Sequence, residues 1–125
     1  MKQRILVVDD ELGPRESFRM LLKSRYTVVT AADGAEGLAH IRDDEAFDLI
    51  FLDVRMPGMD GIQVLSEIKR LCPEVPVILV TAYATMDVAT QALDMGAVDC
   101  LIKPFARRDV DNMVARVLPA PDATK

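Results

Sequence analysis

Short apolar runs alternate along the chain with longer stretches in which apolar residues recur every three or four positions. The short runs are bounded by polar residues, as is typical of strands buried on both faces of a parallel sheet. The longer stretches have the spacing of a helix with one buried face. We interpret five of the short runs as strands, at residues 5–8, 26–30, 47–52, 75–80 and 98–102.

A predicted helix follows each predicted strand. We expect the first helix to contain Pro14 in its first turn, where proline is tolerated, and to extend to Arg25. Gly96 is placed to end the fourth helix. The clearest helical period is that of the fifth helix, formed by Val110, Met113, Val114 and Val117.

Five repeats of strand then helix predict an α/β fold, with a parallel sheet covered by helices on both faces. Right-handed crossovers leave few topologies, and we expect the flavodoxin-like, doubly wound five-stranded sheet with strand order 2-1-3-4-5 and five helices. A chain of 125 residues is long enough for one domain. We expect that domain to span residues 1–118, and residues 119–125 to be a linker or tail.

Composition and charge argue against nucleic-acid binding, membrane association and disulfide or metal sites at the cysteines. The formal net charge of -5 disfavours direct nucleic-acid binding through a basic face. No stretch approaches the roughly 18 apolar residues of a membrane span, and the start lacks a signal-peptide pattern, so we expect no membrane association and a cytoplasmic location. Cys72 and Cys100 have neither metal-ligand nor disulfide-framework spacing, so both are predicted to be reduced thiols.

Polar residues that could bind a metal or take part in catalysis stand at the C-terminal ends of four predicted strands. Asp9 and Asp10 follow the first strand, and Asp53 follows the third. Thr81 and Lys103 follow the fourth and fifth strands. Ligands of open parallel sheets bind outside these strand ends, so the five side chains should share one cleft. Clustered acids repel one another, and a divalent cation with oxygen ligands would relieve that repulsion.

Simpler structural explanations exist for each residue taken alone. Asp53 could cap a turn, and Thr81 could be only a strand former. Two adjacent acids after a buried strand, facing a third on another strand, favour the functional interpretation. Glu11 is better explained as a helix-start charge than as a ligand. The peptide between Lys103 and Pro104 could be cis, because only X-Pro bonds adopt that form at modest cost.

The motifs resemble the receiver domain of two-component response regulators, the CheY-like superfamily. Four separated motifs carry the resemblance in the correct order, over residues 4–118. They are Asp9-Asp10, the segment 52–61 around Asp53, Thr81-Ala82, and Lys103-Pro104-Phe105. The resemblance implies a switch that takes a phosphoryl group from a sensor histidine kinase onto Asp53. It would not be a turnover enzyme, because its product is its own modified aspartate.

Site roles also follow from the resemblance. Asp10 and Asp53 would ligate Mg²⁺, and Asp9 would contribute directly or through water. The backbone carbonyl of Arg55 would be a further ligand. Mg²⁺ typically keeps several waters and takes only a few protein oxygens, which agrees with such a set.

The phosphoryl group would be bound by Thr81 and Lys103 in this family. Receivers usually carry an aromatic residue three positions before the lysine, and this chain has Cys100 there. A cysteine is too small to relay motion as a turning ring does. We therefore expect movement of Thr81 and of the loop 81–85 to carry the signal, with Cys100 as a mostly buried packing residue.

The segments 81–85 and 96–99 resemble receivers of the NtrC type, which usually precede an ATPase module and a DNA-binding module. This implies the regulatory domain of a transcriptional response regulator, and a stand-alone adaptor is the alternative. Homodimerisation through the fourth helix, fifth strand and fifth helix is a further expectation.

Two enzyme-like alternatives fit the sequence less well. A Mg²⁺-dependent phosphatase that acts through an aspartyl phosphate typically has an acid two residues after its nucleophile, where Arg55 stands. A flavin-binding electron carrier would need a phosphate-cradling loop after the first strand. This chain has two aspartates and Glu11 there, and it has no tryptophan to cover a flavin ring.

Overall fold

The structure is a computed structural model that describes residues 3–43, 46–53, 55–56, 59–82 and 86–118. The predicted linker at 119–125 and the loop residues 83–85 lie outside the described residues. The elements, in chain order, are β1 (Arg4–Val8), α1 (Leu12–Leu22), β2 (Thr27–Ala31), α2 (Gly34–Arg42), β3 (Leu49–Asp53), α3 (Gly61–Leu71), β4 (Val77–Thr81), α4 (Met86–Asp94), β5 (Asp99–Ile102) and α5 (Arg107–Val117). Two further strands of two residues each, Arg55–Met56 and Met59–Asp60, pair antiparallel between β3 and α3.

The five longer strands form one parallel sheet in the order β2-β1-β3-β4-β5, which confirms the predicted topology. Val8 of β1 pairs with Leu52 of β3, and Asp53 pairs with Val80 of β4. Because the strands run in one direction, the residues that follow Val8 and those that end β3 and β4 reach the same edge of the sheet. This register positions the predicted site.

The core has one apolar cluster on each face of the sheet. Helices α2, α3 and α4 contribute to the first cluster, and α1 and α5 contribute to the second. In β1, Leu6 and Val8 belong to the first cluster, whereas Ile5 and Val7 belong to the second. A strand covered in this way buries every side chain, which explains the continuous apolar runs in the sequence.

Four strands begin one or two residues later than predicted. Tyr26 is buried, but its amide donates a hydrogen bond to the Leu22 carbonyl and completes the end of α1. Phe47 is also buried, yet β3 begins only at residue 49. Val75 donates to the Cys72 carbonyl in a turn that precedes β4. At Tyr26 and Phe47 the apolar pattern therefore reports burial without strand pairing. Val75 is only partly buried, and Val98, just before β5, is exposed.

The ends of two helices test further predictions. Helix α1 stops at Leu22, so Arg25 lies in the following turn. The prediction that the helix extends to Arg25 was wrong. Gly96 has φ of 107° after α4, and its amide donates to the Leu93 carbonyl. The Ala97 amide donates to the Ala92 carbonyl, which completes a glycine-terminated helix end and confirms the predicted role of Gly96. Among the described helices, none has the length and apolar character needed to cross a bilayer.

Candidate functional site

The acids that end β1 and β3 converge as the strand order predicts. Carboxylate oxygens of Asp9, Asp10 and Asp53 all lie within 4.8 Å of one another. Asp9 is 1% exposed and Asp53 is 4% exposed, whereas Asp10 lies nearer to solvent. Carboxylates this close repel one another, and burial strengthens the repulsion because water screens it less. The cluster therefore needs a cation.

Lys103 supplies one positive charge from the end of β5. Its Nζ lies 2.8 Å from Asp9 Oδ2 and 3.3 Å from Asp53 Oδ2. The same ammonium lies 3.2 Å from Glu11 Oε1. The Lys103 backbone amide donates to the Thr81 carbonyl at 2.9 Å, which ties the residue to the end of β4. The Lys103–Pro104 peptide is cis, as the sequence allowed.

The charge state of Lys103 follows from two opposing effects. Burial alone would lower the pKa of this ammonium. Attraction by Asp9, Asp53 and Glu11 outweighs burial, so the pKa of Lys103 is raised well above its usual value. The side chain is thus a permanent cation at neutral pH, held against three carboxylates.

Asp9 is fixed on several sides. Its Oδ1 accepts a hydrogen bond of 2.9 Å from the Glu11 amide, and its own amide donates to the Ala31 carbonyl at 3.1 Å. Its backbone carbonyl accepts a bond of 2.7 Å from Arg15 Nη1. Asp9 Oδ2 differs, because it is buried and accepts no well-aligned hydrogen bond within the described parts of the chain. Its short contact with Lys103 is an ion pair without hydrogen-bond alignment.

The donor set fits a small, hard divalent cation. Three carboxylates with oxygens within 4.8 Å of one another, one of them with a buried oxygen that lacks an aligned hydrogen bond among the described residues, are suitable ligands for Mg²⁺. Arg55 begins the first of the two short antiparallel strands, two positions after Asp53. The contribution of the Arg55 carbonyl stays a prediction.

Thr81 ends β4 beside the acidic cluster. It is 1% exposed and pairs with Ile102 of β5, while Asp53 ends the neighbouring strand on the other side. The exposed residue Ala82 follows. Thr81 thus stands at the strand end that the sequence predicted, and Asp53, the acid proposed as acceptor, ends the adjacent strand.

Cys100 occupies β5 opposite Leu79 of β4. It is partly buried and packs against the core cluster on the α2–α4 face, so it is more accessible than we predicted from the sequence. Burial, and then the negative charge of Asp99, raise the pKa of the Cys100 thiol. Such a thiol stays protonated at neutral pH and serves as a small packing group.

Two residues of the site were misjudged or missed in the sequence. Glu11 stands at the N-cap of α1, but its side chain makes no capping hydrogen bond and pairs with Lys103 instead. Arg15 received no role, although it binds the backbone of Asp9. The available signal was a basic residue on the first turns of a helix that directly follows a strand ending in acids.

Known proteins share both the sequence and the fold. The sequence family described as the response regulator receiver domain matches residues 5–115. The transcriptional regulatory protein ZraR of Escherichia coli K12 is 45% identical over 112 residues, which are 89% of this chain and 24% of that protein. Sporulation initiation phosphotransferase F of Bacillus subtilis is 35% identical over 120 residues, covering 95% of this chain and 96% of that one.

A solved structure agrees with both sequence matches. The crystal structure of NtrX from Brucella abortus in complex with ADP superposes with a TM-score of 0.87 at 36% identity, over 94% of this chain and 27% of that one. The chain therefore spans about a quarter of the length of ZraR and of NtrX. The sheet order, the acidic strand ends and these matches agree that the chain belongs to the response regulator receiver domain family.

Proposed function

We propose that this domain is a phosphorylation-controlled switch in which Asp53 accepts a phosphoryl group from a sensor histidine kinase. The observation that carries the proposal is the arrangement around Asp53. Its buried carboxylate lies among two further acids, and its Oδ2 is 3.3 Å from a lysine ammonium. A carboxylate held in this way, at the end of a buried strand, is suited to nucleophilic attack on an electrophilic phosphorus.

The transfer needs positioning and charge stabilisation more than covalent assistance. A carboxylate oxygen of Asp53 would form the new O–P bond while the P–N bond to the donor imidazole breaks. The bonding electron pair goes to the imidazole nitrogen, which is protonated by solvent. Lys103, already within reach of Asp53, would then pair with an oxygen of the new phosphoryl group. The domain would catalyse only its own phosphorylation and dephosphorylation.

Mg²⁺ is the proposed cofactor, held by Asp9, Asp10, Asp53 and the Arg55 carbonyl. When bound, it would neutralise the negative charge that separates the Asp53 carboxylate from a dianionic donor. The three acids would orient it, and the backbone hydrogen bonds of Asp9 would keep the acidic turn in place.

The output would begin at Thr81. Its hydroxyl can donate a hydrogen bond to the acyl phosphate and be drawn towards it. Thr81 pairs with Ile102, and its carbonyl accepts a hydrogen bond from the Lys103 amide, so that movement would be passed to β5. We propose α4, β5 and α5 as the responding surface, with homodimerisation through it.

The wider setting is also a proposal. The proposed receiver spans residues 1–118 and would regulate transcription in the cytoplasm, and the match to ZraR, a transcriptional regulatory protein, supports the transcriptional role. The downstream ATPase and DNA-binding domains are what the resemblance to NtrC-type receivers implies. Residues 119–125 would connect it to them. A stand-alone phosphotransfer adaptor is the second candidate, because the match to sporulation initiation phosphotransferase F covers nearly all of that protein.

Intact-mass analysis tests the acceptor. Incubation with acetyl phosphate and Mg²⁺ should add one phosphate that is stable in acid and lost in base, as expected of an acyl phosphate. Asp53→Asn keeps the size of the side chain but lacks the nucleophilic carboxylate, so it should show no adduct. Persistence of the adduct in Asp53→Asn would refute the assignment.

A further inference from the structure

We infer that Arg15 is a positioning residue for the metal site and that it acts through the backbone of Asp9. Nothing in the family resemblance gave this arginine a role. The inference rests on the proposed binding of Mg²⁺ by the acidic cluster, and it adds a residue that would tune the affinity of that cluster.

The contact is short and specific. Arg15 Nη1 donates a hydrogen bond of 2.7 Å to the carbonyl oxygen of Asp9, and the contact is partly buried. A charged donor makes this bond stronger than one between two neutral groups. Arg15 belongs to α1, while Asp9 follows β1, so the bond fixes the short connection that carries Asp9, Asp10 and Glu11.

The Arg15 bond completes the fixation of Asp9. The Asp9 amide is held by Ala31, and Oδ1 is held by the Glu11 amide. Of these three bonds, only the one from Arg15 is donated by a side chain, so a substitution can remove it without changing Asp9 itself. With the backbone and Oδ1 fixed, Oδ2 stays 2.8 Å from Lys103 Nζ, and it accepts no aligned hydrogen bond from the described residues. Groups that hydrogen-bond to metal ligands raise metal affinity, because a loosely held ligand must lose freedom when the metal binds.

The positive charge of Arg15 would act in the opposite direction. A cation close to the acids repels Mg²⁺, so loss of the charge alone would strengthen binding. Loss of the hydrogen bond would weaken binding. Since the two effects differ in sign, the direction of the change distinguishes a positioning residue from a bystander charge.

Calorimetric titration with Mg²⁺ tests the inference in the wild type and in three variants. Arg15→Met keeps an apolar stem but loses the donor, and it should weaken binding about tenfold. Arg15→Lys retains a charged donor and should recover part of that loss. Arg19→Met is the matched control, because Arg19 lies one turn further along α1 in an exposed pair with Glu16. It should bind Mg²⁺ as the wild type does.

Amide exchange supplies a readout that does not depend on metal. The Glu11 amide should exchange faster in Arg15→Met than in Arg19→Met, because its acceptor Asp9 is less well held. Unchanged or tighter Mg²⁺ binding by Arg15→Met overturns the inference while the proposed function stands. A wild-type domain that binds no Mg²⁺ overturns the proposed metal site and this inference together. If circular dichroism shows that Arg15→Met is unfolded, the test rests on Arg15→Lys. This variant should bind Mg²⁺ more weakly than the wild type does, and equal affinity would contradict the inference.

Discussion

The two halves of the sheet that meet at the site are built differently. In the half formed by β1 and β3, all five residues of β3 are buried and Asp9 is held by several hydrogen bonds. In the other half, β5 is an edge strand with only Leu101 fully buried. Ile102 of β5 is 53% exposed, and Val98, just before the strand, is 49% exposed.

Under the proposed function, this difference would separate the chemistry, at β1 and β3, from the response, at β5. A phosphoryl acceptor needs fixed charges, and β1 and β3 provide them because they are enclosed by strands and helices on every side. A responding surface needs to move at low cost, and an edge strand with few buried contacts has a low free energy of local displacement. Lys103 joins the halves, since it extends from the end of β5 to Asp9 and Asp53.

The largest expected effect is on the fixed half. Asp10→Asn removes a formal charge and a hard oxygen ligand, so Mg²⁺ affinity should fall at least about 100-fold. This loss exceeds the one usual for residues that only hold a metal ligand in place. Calorimetric titration would measure this. Asp94→Asn, at the exposed end of α4, makes the same chemical change far along the chain and should leave the affinity unaltered. Equal affinity of Asp10→Asn and wild type would remove Asp10 from the site.

The next effect concerns transfer between the halves. Thr81→Ala should still accept a phosphoryl group at Asp53, because the acids and Lys103 remain. It should lose most of the change in amide exchange over 86–102 that follows treatment with beryllofluoride, a phosphoryl mimic. Thr30→Ala, in the opposite edge strand β2, is the control and should respond normally. A full response in Thr81→Ala would show that the signal takes another route.

The sequence predicted the three central strands, β1, β3 and β4, well for physical reasons. A strand enclosed on both faces must be apolar at every position, so β1, β3 and β4 appear as uninterrupted runs. The parallel order then brings the ends of these runs to one edge, which is why Asp9, Asp53 and Thr81 could be assigned to one cleft. Strand starts were less predictable, because Tyr26 and Phe47 are buried without joining a ladder.

Contacts that depend on the direction of single side chains were not predictable. Glu11 and Lys103 are 92 positions apart, and an exposed acid at a helix start has no pattern that marks its partner. Arg15 binds a backbone carbonyl, a group that every residue carries, so composition and spacing do not identify the acceptor. Such contacts require coordinates, and here they decide how tightly the acids are held.

The smallest expected effect is at Cys100, in the responding half. The family usually has an aromatic residue there, but a partly buried cysteine offers little volume for a mechanical relay. Cys100→Ala removes one small group from the edge of a core cluster, so the free energy of unfolding should fall by no more than about 1 kcal/mol. Phosphorylation at Asp53 and the exchange response over 86–102 should stay nearly intact.

Cys72→Ala provides the control for Cys100→Ala. Cys72 is also partly buried, but it follows α3, where its thiol donates to the Ile68 carbonyl at 3.2 Å. Chemical denaturation should give a similarly small loss of stability for both variants, and beryllofluoride should change their amide exchange equally. The comparison with Thr81→Ala then decides whether Thr81 or β5 starts the response of the half that contains β5. Loss of the response in Cys100→Ala, together with its survival in Thr81→Ala, would contradict a switch that begins at Thr81 and assign the relay to β5 itself.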